Sequence, residues 1–452
     1  MEAPTIVLPP PTKIPECLPP PPAPETPASK LKAIQQNLAL PKLEVFRTTV
    51  RNTTPEKNFL KSLLSSSARP IDGELLQEMQ RYTERFADFP DTAEVMYLQG
   101  MVHARIEQYP AAAIDWLMLR AGYPDTPFSR EADKRLQGMQ GDELKKHAEQ
   151  IKKWSAAIAQ LGGTREQRQA TLLKLLGSNS EKDFAAPIAA ACASFLASNQ
   201  SWLREDEIEH AWARQAMLLD PQLAVYHFEK VLALYPDSSL RADSLLSLGH
   251  VQRSQLFAYS QAAATYNKLI QQFPDAPETQ QGYYALGEMY DKDMHDYPNA
   301  LKTYDAIVQR YGTKRVVLDS LRAMANIQQN RINRPADAVA TLLKLADTFK
   351  NADGMEALLA AARIANFTLR DWKLAIQINQ RIMTLYGGSE EAIKAEYSTA
   401  DITENKLNDK AAALKAYQAF VAQHAGHSLA REANRRIEVL TRELNPPSTP
   451  TK

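Results

Sequence analysis

Along most of the chain, apolar positions recur at the three- and four-residue intervals of an amphipathic helix. No set of segments alternates apolar and polar residues as half-buried strands do, so the pattern predicts an all-α protein. A longer period is superimposed on the short one. Segments closing on an aromatic or histidine plus a turn residue recur as LALYP at Pro236, IQQFP at Pro274, VQRYG at Gly312, ADTFK at Lys350, MTLYG at Gly387 and VAQHA at Ala425. Their spacings are 38, 38, 38, 37 and 38 residues.

The interior of each unit repeats as well. An alanine lies 12 residues before each turn, at Ala224, Ala262, Ala300, Ala338, Ala375 and Ala413. A small residue lies 13 before the last five of these, at Gly249, Gly287, Ala325, Ala362 and Ala400. Large side chains follow the alanine by four, Phe228, Tyr266, Tyr304, Leu342 and Tyr417, whereas the shorter unit departs with Asn379. Bulky apolar groups follow by seven, at Val231, Leu269, Ile307, Leu345, Ile382 and Phe420. Steps of four and seven share one helix face. Each unit therefore reads as two antiparallel helices in close approach at the small residues, stopped by Pro or Gly and capped next by Asp or Ser, as in Pro236-Asp237-Ser238. One such pair cannot bury its apolar face alone, so the units are expected to stack.

A small residue, an alanine about 12 later and a proline 12 after that resemble the tetratricopeptide repeat. The fit is tightest at Gly100, Ala112 and Pro124, where Pro90 to Pro124 spans 34 residues. The later units resemble it with about four extra residues, and the resemblance covers roughly residues 75–138 and 203–440. They depart from it in carrying a bulky aliphatic where the family has a small residue seven after the alanine, which puts ordinary inter-helix distances in question. The resemblance implies an α-solenoid of stacked antiparallel helix pairs, a tetratricopeptide-like superhelix. Units reading "YP-D-S" and then "Y-x-x-A" further resemble the tetratricopeptide proteins of the bacterial cell envelope, of the outer-membrane-assembly lipoprotein and Tol-Pal coordinator types.

The rest of the chain divides around this array. Residues 1–41 are a proline-rich disordered segment, with 11 prolines in the first 29 positions. It reads as an extended spacer reaching ~90 Å, with a ligand for an aromatic-lined groove as the other reading. Residues 42–141 form an N-terminal helical region with one clear repeat unit. Residues 142–200 form an irregular helical connector, with candidate helices at 142–161, 164–176 and 181–197 and N-caps at Asp142 and Thr164. Degenerate repeats and a specialised insertion or hinge are both open for it. The array of about six units occupies 201–443, and 444–452 is a disordered tail.

Composition narrows the function. Of 452 residues, 53 are Lys or Arg and 53 are Asp or Glu, so the net charge of +0 removes the footprint of a general nucleic-acid binder. Locally the balance fails. Residues 201–300 carry 7 positive and 14 negative charges, and residues 301–350 carry 9 and 4. Only 16 glycines disfavour a fold rich in phosphate loops, and 2 cysteines cannot build a disulfide scaffold or a four-thiolate zinc site. Cys192 lies in the apolar run Phe184–Ala197, too short to span a bilayer, and reads as a core residue; Cys17 falls in the proline-rich segment. No signal peptide or lipoprotein cleavage site is visible in residues 1–29. Removal of a signal sequence would place the protein in the periplasm or at the outer membrane, and the alternative is the cytoplasm.

The chain lacks the GxxxxGK[ST], GxGxxG, HExxH, GxSxG and CxxC patterns. His424 and His427 flank a repeat turn with no third ligand nearby in sequence, and paired acids such as Glu390-Glu391 read as solvated helix ends. The expectation is therefore no catalytic residue, no cofactor and no metal.

The resemblance also places a partner groove, on positions six and three before the small residue and one and four after it. On this chain those are Asp243, Leu246, His250 and Arg253; Gln281, Tyr284, Glu288 and Asp291; Asp319, Arg322, Asn326 and Gln329; Glu356, Leu359, Arg363 and Asn366; and Lys394, Tyr397, Asp401 and Glu404. Steps of 3, 4 and 3 put each set on one helix face. Tyr284, Arg322, Arg363 and Tyr397 are the expected hot spots, being residue types enriched there. The leading expectation is a non-catalytic scaffold for protein partners in a bacterial envelope assembly. The alternatives are a binder of cell-wall glycan or peptide and an accessory helical subunit of an enzyme complex.

Overall fold

The computed structural model describes Arg47, residues 71–199 and residues 202–445. The predicted proline-rich segment with Cys17, and the tail beyond Asn445, lie outside these residues. Among the described residues there are twenty α-helices and no strand. The contacts divide the chain into two units, Met1–His227 and Phe228–Lys452.

The first unit contains α1 (Asp72–Arg85), α2 (Thr92–Arg105), α3 (Tyr109–Gly122) and α4 (Pro127–Gln140). A 3₁₀ turn at Lys145–His147 leads to α5 (Ala148–Ile158), α6 (Arg165–Leu176), α7 (Lys182–Ser198) and α8 (Glu205–Ala216). The last helix, α9 (Pro221–Leu234), carries the dividing line. One core joins Trp116 and Leu117 of α3 to Trp154 of α5, Leu173 of α6, Phe184 and Cys192 of α7 and Ile208 of α8. The segment 142–200 thus packs directly on the Gly100–Ala112 hairpin. Cys192 is a fully buried free thiol, and burial raises its pKa. Thr164 caps α6 in a full capping box with Gln167. Asp142 caps nothing: the chain first turns through Lys145–His147, and α5 begins six residues later than the sequence suggests.

The second unit holds the regular array: α10 (Arg241–Ser254), α11 (Tyr259–Gln272), α12 (Pro277–Glu288), α13 (Tyr297–Tyr311), α14 (Arg315–Asn326) and α15 (Pro335–Thr348). It continues with α16 (Ala352–Arg363), α17 (Trp372–Leu385), α18 (Glu390–Asn405), α19 (Lys410–Gln423) and α20 (Ala430–Leu444). Each helix packs on the next, and the first helix of a pair also meets the first helix of its neighbour, as α10 does with α12. Side-chain caps start several of them: Asp296, Asp371, Ser389 and Asp409 each accept from the backbone N–H three residues on. At Pro236-Asp237-Ser238 the cap falls outside the helix. Ser238 Oγ accepts from Leu240 N at 3.1 Å, and α10 starts only at Arg241.

The periodic residues are the core. All six alanines are fully buried, as are Val231, Leu269, Ile307, Ile382 and Phe420. Tyrosines occupy the gaps left by missing side chains. A Cβ on Gly249 would lie 2.5 Å from the Tyr266 ring, and one on Gly287 would lie 2.7 Å from Tyr304. The bulky aliphatic at the family's small position is accommodated by the next unit: a Cβ on Gly282 of α12 would meet Leu269 at 2.6 Å.

The turns between paired helices are also periodic. Phe257, His295, Asn333, Arg370 and Asn408, spaced 38, 38, 37 and 38 apart, all adopt positive φ between 52° and 56°. Each is followed by a backbone N–H that reaches six residues back, as from Ala258 to Gln252 O at 2.7 Å and from Asp371 to Ala365 O at 2.9 Å. In three units the helix widens to π geometry beforehand, over Met289–Asp293, Ile327–Arg331 and Ile364–Leu369.

Candidate functional site

The candidate site is the face shared by the first helices of the second unit, α10, α12, α14, α16 and α18. Twelve of the twenty predicted positions line two depressions there. One, of about 370 Å³, is lined by His250, Arg253, Gln281, Tyr284, Glu288 and Asp319. The other, of about 300 Å³, is lined by Leu359, Arg363, Asn366, Lys394, Tyr397 and Asp401.

Several predicted residues are already engaged with the adjacent repeat. Arg253 of α10 donates from Nε to Asp293 at 2.5 Å and pairs with Glu288 at 3.4 Å. Arg322 of α14 bridges Asp353 at 2.9 Å and Glu356 at 2.6 Å on α16. Glu404 of α18 is buried and takes both nitrogens of the Arg436 fork from α20, the Nε bond being 3.1 Å. Laterally, these pairs join successive first helices. Arg322 is therefore a strut as well as a surface group. Asp291 is largely buried in the π segment, where burial raises its carboxyl pKa.

The other predicted positions differ in exposure. Gln281 and Arg363 are exposed, and Arg363 makes no ion pair among the described residues. Asn326 is exposed and accepts from Asn330 at 2.7 Å, while Asp243 and Gln329 are half-buried. Tyr284 and Tyr397 are half-buried, each with its ring against the wedge tyrosine of its own unit, Tyr304 at 5.9 Å and Tyr417 at 5.7 Å between centroids. Burial raises both of their phenol pKa values. His250 sits 5.9 Å from the Tyr266 ring, and burial and then Arg253 lower its imidazole pKa. Asp401 donates nothing to the core but accepts from Asn405 at 2.8 Å. The face thus alternates half-buried aromatics with amides and partly paired charges, a surface suited to hydrogen bonding and stacking.

With that geometry in hand, sequence comparison identifies one unit directly. A tetratricopeptide-repeat family model matches residues 243–276, which run from α10 through α11 to the turn before α12. That segment is a tetratricopeptide repeat. The units at Gly287, Ala325, Ala362 and Ala400 repeat the same helix pair, the same buried alanine and the same left-handed turn residue as this tetratricopeptide unit. No curated protein matches the chain. Among solved structures, a tetratricopeptide repeat protein from Parabacteroides merdae is 11% identical with a TM-score of 0.33, covering 60% of this chain and 98% of its own. Yeast Tom70 is 11% identical with a TM-score of 0.24, covering 91% and 98%. A human IFIT1 dimer with m7Gppp-AAAA is 15% identical with a TM-score of 0.29, covering 83% and 97%. At such scores the fold reading stands on the helix pairs themselves.

Sequence reasoning missed a cavity of about 310 Å³ in the first unit, between α1, α2, α3 and α7. His103 Nδ1 lies 2.6 Å from Asp115 in its wall, and Gln99 donates to the same carboxyl at 3.2 Å. Burial raises the Asp115 pKa, against the pull of His103. The 12-residue step from His103 to Asp115 equals that from Gly100 to Ala112, so the repeat spacing could have shown that they face each other across the hairpin.

Elsewhere, His424 and His427 pair separately with Glu396 at 2.9 Å and Glu390 at 3.1 Å. Among the described residues no group of three or more His, Cys, Asp or Glu is placed to hold a metal, and no helix is long and apolar enough to cross a membrane.

Proposed function

We propose that the protein is a non-catalytic scaffold that binds extended segments of protein partners along the first-helix face of its second unit. One observation carries this reading. Across five consecutive repeats the same register positions present Tyr284, Arg363, Asn366, Tyr397 and their neighbours at two depressions, while the alanines and aliphatics between them are buried. A face needed only for solubility requires no half-buried aromatics, whereas tyrosine and arginine are the side chains that anchor interfaces. The tetratricopeptide match at residues 243–276 supports the same reading, since units of this kind display one helix of each pair to a ligand. A bacterial cell-envelope assembly is the setting we propose, on the resemblance of the repeat units to envelope tetratricopeptide proteins.

Site-specific photo-crosslinking in the native cell tests the binding face. A crosslinker at Tyr284 or Tyr397 is expected to capture discrete partners, and one at the exposed second-helix positions Gln261 or Gln380 is not. Equal capture from both sets would refute the face. Fractionating the cell before crosslinking tests the setting, since the envelope reading requires the adducts to leave with the envelope.

A further inference from the structure

The connector helix α7 has two unlike sides. Phe184, Ile188 and Cys192 enter the core of the first unit, whereas Ala186, Pro187, Ala190 and Ala191 line the cavity of about 310 Å³ against α1, α2 and α3. Short side chains on that side leave the space open, and Ala186 and Ala190 remain exposed among the surrounding helices. Met96, Met118 and Phe195 extend the apolar wall.

One carboxyl stands in this mostly apolar wall. Asp115 of α3 meets His103 Nδ1 through one oxygen at 2.6 Å and accepts from the Gln99 amide through the other at 3.2 Å. A carboxylate has about four acceptor positions, so these contacts leave part of its capacity unused. The Asp115 side chain keeps 17% of its surface accessible, within reach of a molecule in the cavity. Neither contact brings a fixed cation. Among the described residues of the wall, Asp115 is the only Asp or Glu, and there is no Lys or Arg. Arg165, which donates to the carbonyl of the wall residue Ala87, is committed to Asp88 and Glu166. A carboxylate in apolar surroundings without a fixed counter-charge is costly, and an ammonium placed beside it offsets that cost.

We propose that the cavity binds a primary ammonium carried on an apolar body, the ammonium donating to Asp115 and the body lying against Met96, Met118 and the short side chains of α7. The acid sets the sign of the ligand, and the walls set the character of its body. Every described wall residue belongs to the first unit, so this site stands or falls independently of the groove.

The test titrates the full chain at neutral pH with three probes that share a phenylethyl body: 2-phenylethylamine, 2-phenylethanol and 3-phenylpropionate. Saturation-transfer difference NMR reads their binding. The amine is expected to bind at least about tenfold more tightly than the alcohol, and the carboxylate is expected not to bind. Asp115→Asn keeps the shape and removes the charge, and should weaken the amine by about tenfold while leaving the alcohol unchanged. Ala190→Leu, at an exposed position of α7, fills the space and should abolish binding of both; it serves alone if Asp115→Asn does not fold. No saturable binding of the amine, an alcohol or carboxylate bound as tightly, or undiminished amine binding by either folded variant overturns the site. The same ammonium is presented by a free amine and by a lysyl side chain of a partner. Nα-acetyl-L-lysinamide separates the two sources: tighter binding than 2-phenylethylamine assigns the cavity to a lysyl side chain, and binding no tighter assigns it to a free amine.

Discussion

At the scale of single residues, the repeat is a set of exchanges between a missing side chain and a large one. Gly249 and Gly287 exist for Tyr266 and Tyr304: the rings occupy the space where a Cβ would be. Gly287→Ala should therefore destabilise the second unit by about 1–3 kcal/mol, although alanine is the better helix former. Chemical denaturation reads the change, and a gain in stability would show that Tyr304 is free to move aside. Much of this scale was legible in the sequence. The alanines, the small residues and the aliphatics seven beyond them were all placed in the core by spacing alone, and all are buried. Site residues were legible as positions but not as states. Arg253, Arg322 and Glu404 fall on the expected face, yet each is held by a group 31 to 40 residues away, and no local pattern reveals such a partner.

At the scale of the element, helices and their order followed from periodicity, while their ends did not. The lapses at Asp142 and Asp237 share a cause: a short turn intervenes between a good capping residue and the helix it would cap. The turns inside each pair were also hidden. A left-handed residue is normally sought as glycine or asparagine, and only Asn333 and Asn408 obey. Phe257, His295 and Arg370 adopt the same φ because the N–H that follows each is tied six residues back, fixing the backbone whatever side chain it carries. Replacing such a residue with glycine removes the strain and keeps the bond. Arg370→Gly should raise stability by about 1 kcal/mol, and Asn333→Gly by less, since asparagine already tolerates this conformation. Equal or negative shifts in melting temperature would mean that the turn is not strained.

At the scale of the whole molecule, each repeat contacts chiefly its neighbours, so stability in the second unit should be local and transmitted stepwise. Ile307→Ala, at a fully buried position of α13, should cost about 2–5 kcal/mol. Amide exchange should quicken first in α12 to α15 and progressively less toward α20; uniform loss along the array would contradict nearest-neighbour energetics. The neutral total charge likewise conceals a local arrangement, in which arginine–carboxylate pairs tie one first helix to the next. The exposed pair Arg322–Glu356 is worth only ~0–1 kcal/mol and sets alignment more than it adds strength, whereas Glu404, buried against Arg436, depends on its partner. The left-handed turn residues have a further use. Phe257, His295, Asn333, Arg370 and Asn408 are all exposed, and the bond that closes each turn runs between backbone groups, with only the His295 ring adding a contact of its own, to Asp291 O at 3.1 Å. They form a graduated ruler, one mark per repeat in chain order. Because Cys192 is sealed in the other unit, thiol dyes placed at pairs of these marks, once Cys17 is replaced, would read stretching and recoil of the array under load.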